Sequence, residues 1–264
     1  MQAAPYILDP GDPRAPSQEI WDRLTPRQRQ QVLDTLPSEF PRALPAEGDP
    51  HRHAKERAFQ VLDEYFRRLN REVYLSSELP VYYPGERMFA PDVIAVLDVP
   101  THERNGWVVS QEGKGLDFVL EIHVAGNWHK DFELNVERFA RLGIPEYFAF
   151  DHERSRLLGW RLGSGPAYTP IIPQEGRWSS EVLGLDLALD YTLGHGRLTF
   201  LHGSAELLDG RALVGKLSAM VDDAVQRAEQ EARRAEQAAR RADRLAARLR
   251  ELGIDPDAEA DVEQ

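Results

Sequence analysis

Two carboxylates stand in apolar surroundings. Asp92 follows Pro91 at the head of MFAPDVIAVLDV, and Glu121 interrupts FVLEIHVA, with Val119 and Leu120 before it and Ile122 after it. Burying such a group is unfavourable unless it is paired, hydrogen-bonded or bound to a metal ion. For either residue alone, a helix cap or an arginine partner explains the position equally well; two of them on successive apolar strands favour a metal site. The chain contains no cysteine, so any metal must be held by oxygen or imidazole. His123 lies two residues beyond Glu121 and shares its strand face, because strand side chains alternate. It can orient water or accept a proton near neutral pH, or be an ordinary buried histidine bonded to a carboxylate.

Other chemistries find little support. Gly113-Lys114-Gly115 lacks both the glycine spacing and the following Ser or Thr of a phosphate-binding loop, and no GxSxG segment occurs. His51, His53, His129 and His152 form no HExxH pattern. Trp107, Trp128, Trp160 and Trp178 read as packing residues rather than base-stacking platforms. A net charge of −12 argues against a protein that coats nucleic acid nonspecifically. It is compatible with a metal-dependent site, where bound cations reverse the local field.

The elements that must position these residues follow from periodicity. Residues 1 to about 16 read as a mobile arm. Ser17 caps a short helix carrying Ile20, Trp21 and Leu24, and Thr25-Pro26 opens a second that runs to about Thr35. A proline-rich connection, 37–50, leads to an amphipathic helix from His51 to Asn70, with Ala58, Val61, Leu62, Tyr65, Phe66 and Leu69 on its apolar face. Strands are expected over Val73–Tyr83, Pro91–Val99, Phe118–Val124, Glu146–Phe150 and Leu157–Leu162, and near 168–173 and 198–202. A helix over Trp128–Leu142, closed by Gly143, separates the third and fourth strands. This order predicts a mixed α/β sheet flanked by helices. No segment approaches the roughly 20 apolar residues of a membrane span, and no secretory signal opens the chain, so a cytoplasmic location is expected.

From Gly210 to Gly253 there is no proline, and Ala, Arg and Glu dominate. Val221, Ala228, Ala235, Ala242 and Leu249 recur every seven residues, with Ala224, Ala238, Leu245 and Leu252 in a second seam broken by Glu231. A long helix is expected, and its heptads predict a coiled-coil-like homodimer; a monomeric helix stabilised by alanine and ion pairs is the alternative. The last residues, 254–264, read as an acidic, frayed tail.

The amphipathic helix with Glu56, the Pro91-Asp92 pair, Glu121 in its apolar strand and RLGIPEYFAFD (Arg141–Asp151) together resemble the PD-(D/E)XK nuclease superfamily. They are closest to its Uma-two group of restriction-endonuclease-like proteins. WSSEVLGLDLAL (Trp178–Leu189) is similar to that group's closing strand motif, and the Ala/Arg/Glu tail is a frequent accompaniment. The resemblance covers about His53–Leu189, within a nuclease-like domain expected over 51–209. It implies a restriction-endonuclease-like fold and metal-dependent hydrolysis of phosphodiester bonds in DNA. Asp92 and Glu121 would hold Mg²⁺ or Mn²⁺ with the main-chain carbonyl of Ile122; Glu56 would be either a further acidic ligand facing the same cleft or a solvated helix residue near Arg52 or Lys55. The chain departs from the pattern at the lysine. His123 occupies the superfamily's lysine position and Asn135 the position on the following helix; Lys130, at that helix's start, is either a substitute reaching the cleft or an exposed helix-start residue. The departure leaves a second reading, a catalytically degenerate module that binds nucleic acid or protein.

Overall fold

The computed structural model of the 264-residue chain describes residues 6–39 and 48–253. Part of the N-terminal arm, part of the proline-rich connection and the acidic tail lie outside the described residues. Two compact units are present, Met1–Asp209 and Gly210–Gln264.

The first unit opens with α1 (Gln18–Arg23) and α2 (Pro26–Thr35). The Ser17 hydroxyl caps α1, and Thr25 and Gln28 form a reciprocal capping box on α2, which has Pro26 in its first turn. Trp21, Leu24 and Val32 pack between these helices. The amphipathic helix α3 spans Asp49–Arg68, two residues earlier than its apolar pattern suggested, because Pro50 suits the first turn and Asp49 the positive end of the dipole.

There follow β1 (Val73–Ser76), β2 (Val81–Tyr82), β3 (Val93–Leu97), β4 (Trp107–Val108), the short helix α4 (Val109–Glu112) and β5 (Phe118–His123). Next come a π-helical turn (Lys130–Leu134), α5 (Asn135–Arg141), β6 (Glu146–Asp151), β7 (Arg156–Leu162) and β8 (Tyr168–Pro170). The domain closes with β9 (Arg177–Ser180), β10 (Leu185–Asp190), β11 (Arg197–His202) and β12 (Ala205–Glu206).

The main sheet has the order β1-β3-β5-β6-β7-β8 and is antiparallel except for β5 and β6. That parallel pair requires a crossover, which α5 supplies. One sheet face, with Val93, Ala95, Phe118, Leu120, Phe148 and Phe150, packs on α3 and on a second sheet, β12-β11-β10-β9. The other, with Ile94, Val96, Val119 and Tyr147, packs on Phe132 and Phe139. Both faces are covered, which explains the nearly unbroken apolar runs of β3, β5 and β6.

Three expectations change in detail. The strand expected over Val73–Tyr83 breaks, because Glu78 turns at φ 54° and Pro80 offers no N–H to a ladder; β2 instead pairs with β4 in a separate two-stranded sheet. The segment Trp178–Leu189 is not one closing strand but the β9–β10 hairpin of the second sheet, turning at Gly184 (φ 68°). The helix over Trp128–Leu142 begins with a π turn. The Tyr147 hydroxyl donates to the Asp131 carbonyl (2.7 Å), and the Asn135 N–H that would bond that carbonyl in an α-helix reaches Lys130 O instead.

The second unit contains α6 (Gly210–Glu251), a single helix with no buried residue. Among the described residues no helix is long and apolar enough to cross a membrane.

Candidate active site

The register between β3 and β5 pairs Val93 with Leu120, Ile94 with Val119 and Ala95 with Phe118. Extended by one residue, it sets Asp92 opposite Glu121. By alternation both belong to the face that carries Ile94 and Val119. Directly opposed residues in an antiparallel pair have Cβ atoms about 4.5–5.5 Å apart. On the other flank of β5, Ala149 of β6 faces Glu121 and contributes only a methyl group.

Both carboxylates are buried, Asp92 at 9% and Glu121 at 6% exposure. Asp92 Oδ2 accepts the Ile122 N–H at 2.6 Å and lies 3.1 Å from His51 Nε2 of α3. Glu121 Oε1 accepts from Asn135 Nδ2 at 3.4 Å. Burial, and then the neighbouring charge of Asp92, push the Glu121 carboxyl well above the usual glutamate range; Lys130 pulls the other way. Two adjacent buried carboxylates therefore disfavour carrying both negative charges, and Glu121 holds its proton the more tightly.

A second layer surrounds them. His123 Nδ1 lies 3.0 Å from Asp131 Oδ2. Lys130 Nζ is 3.6 Å from Asp131 Oδ1, and its side chain remains 61% exposed. Partial desolvation would lower the Lys130 ammonium, but Glu121, Asp131 and Asp92 outweigh it and hold the group above the usual lysine value. Burial, followed by the charges of Glu121 and Asp131, keeps the Tyr147 hydroxyl protonated far into alkali, consistent with its donation to Asp131 O.

The structure thus brings together Asp92, Glu121, Ile122, His123 and Lys130. It does not bring in Glu56, whose carboxylate takes the Arg52 guanidinium on the exposed face of α3. The α3 side chain that reaches Asp92 is His51, one turn before buried Lys55. Sequence reasoning missed His51, Asp131 and Tyr147. The spacing of His51, Lys55, Ala58 and Leu62 was the available signal for the first, since it puts His51 on the buried face of α3.

The donors suit a hard divalent cation, since they are carboxylates and a strand carbonyl with one small residue beside them. Among the described residues no three Asp, Glu or His side chains converge into one coordination shell. Two carboxylates, the Ile122 carbonyl and water form the set that fits.

The fold is thus a mixed α/β sheet flanked by helices, with two opposed carboxylates on adjoining strands. Residues 35–192, more than half of the chain, match the profile of the Uma2 family, described as "putative restriction endonuclease", and the chain belongs to that family. Among solved structures it is similar to one from Anabaena variabilis described as a "putative nuclease belonging to DUF820". That match has 14% identity and a TM-score of 0.43, and covers 55% of this chain and 80% of the other. No curated protein matches it.

Proposed function

We propose that this protein is a metal-dependent endonuclease that hydrolyses phosphodiester bonds in DNA. The observation that carries the reading is the register opposition of Asp92 and Glu121, with Glu121's proton affinity raised by burial and by Asp92. Asp92, Glu121 and the Ile122 carbonyl would hold Mg²⁺ or Mn²⁺. Such an ion lowers the pKa of bound water and stabilises charge on the phosphate.

The remaining chemistry falls to the chain's own groups. The Ile122 N–H and His51 fix Asp92 through Oδ2. Lys130, held as a cation by three carboxylates, is positioned to take the electrostatic role of the lysine absent from positions 123 and 135. His123, oriented by Asp131, can accept a proton from water or relay it. Asn135 holds Glu121 in place but adds no charge.

The test is a plasmid-nicking assay of the purified chain, titrated with Mg²⁺ and Mn²⁺, with Asp92→Ala alongside. Metal-dependent nicking lost in the variant is expected. Absence of nicking with both metals would favour the second reading, a degenerate nucleic-acid- or protein-binding module, which the neutral Asn135 at the lysine's helix position supports.

We also read α6 as a self-association element giving a homodimer, since Leu217, Met220, Val221, Val225 and Leu245 are all exposed.

A further inference from the structure

A separate cavity of about 290 Å³ lies within the first unit, lined by Asp49, His53 and Arg57 of α3, by His152 just after β6, by His195, and by Arg197 of β11. Three of the chain's eight histidines and two arginines meet here, in a protein whose net charge is −12. The His152 and His195 rings stand 5.8 Å apart. His53 Nε2 lies 2.9 Å from an Arg52 nitrogen, which can only donate, so this ring nitrogen is the acceptor.

Each arginine is anchored without being used up. Arg57 holds Asp209 through Nε at 3.1 Å. Arg197 holds Asp190 and Glu206 through one terminal nitrogen, while its own Nε is buried with no acceptor among the described residues. A buried guanidinium N–H left unmade is costly, and an oxyanion is its natural acceptor. The α3 N-terminus, whose Gly48 cap supplies no side-chain hydrogen bond, adds its positive end beside Asp49 and Pro50.

We propose that this cavity binds a tetrahedral oxyanion, the phosphoryl group of a nucleic-acid strand, contacted by Arg57, Arg197, His152 and His195. The group could be a terminal phosphate monoester or an internal diester; the chemistry recognised is the same. The cavity lies at the same end of the sheet as Glu121, on its other face: the His152 N–H bonds the carbonyl of His123, two residues beyond Glu121 on β5. Burial first, then the neighbouring His195 and Arg57, push the His152 imidazole below its ordinary value, against the pull of Asp151. A bound anion would reverse that push, so binding takes up protons and strengthens as pH falls. Among the described residues Asp49 is the one lining carboxylate; Asp190, Glu206 and Asp209 are held by the arginines. This site does not depend on metal at Asp92 and Glu121.

The test is calorimetric titration of the full chain with sodium sulfate, which remains a dianion from about pH 6 to about pH 8, a range spanning imidazole titration. Saturable binding is expected at the lower pH, weaker by about tenfold or more at the higher. His195→Gln and His152→Gln should each weaken it about tenfold with melting unchanged, and Asp92→Ala should leave it intact even where nicking is lost. No saturable binding, wild-type affinity in both histidine variants, or no pH dependence would overturn the site. A second arm uses a dinucleotide with and without a 5′-phosphate. Binding of only the phosphorylated form identifies a monoester site, and binding of both identifies a diester site. Failure of both while sulfate binds overturns the nucleic-acid assignment.

Discussion

Replacing Glu121 by Gln should stabilise the metal-free protein while abolishing metal-dependent cleavage. Two unit charges about 5 Å apart repel by about 3 kcal/mol at an effective dielectric of about 20. Lys130, Asn135 and His51 offset part of this repulsion, so about 1–2 kcal/mol should be recovered near pH 8. For a domain of this size that is a melting shift of roughly 2–8 °C. The pH dependence carries a definite sign. The folded Glu121 carboxyl binds its proton more tightly than the unfolded one. Its contribution to stability is complete below the ordinary glutamate range and is lost as pH rises through the raised folded value. Wild-type apoprotein should therefore lose stability across that window, and Glu121→Gln should flatten the loss. Mg²⁺ should raise the melting temperature of the wild type only. The assay is thermal denaturation by circular dichroism from about pH 4 to about pH 8, with and without Mg²⁺. A variant no more stable than wild type at pH 8, with the same pH slope, would refute the idea that these carboxylates are held together against their repulsion for a cation.

Lys130→Ala should cut nicking by about 10²–10³-fold, the usual cost of losing one preorganised electrostatic group, and Asn135→Lys in that background should restore part of it; kcat is the readout. Truncation after Asp209 should convert a dimer to a monomer by light scattering, whereas equal, monomeric masses for both forms would remove α6 from association. At Gly159, a Cβ would lie 2.5 Å from the buried Phe148 ring, so Gly159→Ala should destabilise by about 1–3 kcal/mol in urea denaturation.

The local elements were legible because local rules dictated them. The Thr25-Pro26 start, the apolar face of α3 and the Gly143 stop all came from spacing and capping chemistry, and each is found in the fold. Asp92 and Glu121 stood out because a carboxylate in an apolar strand is unfavourable unless it finds a partner, so each had to have one. What the sequence could not supply was which residues face one another across elements far apart in the chain. That β3 lies antiparallel to β5 with Asp92 opposite Glu121 is a matter of register. That His51 rather than Glu56 reaches Asp92 depends on how α3 is rotated against the sheet. The π turn exists because Tyr147, sixteen residues from Asp131, takes a carbonyl that helix propensity assigns to Asn135. Periodicity encodes which face of an element is buried; only packing decides which polar atoms that burial brings into contact.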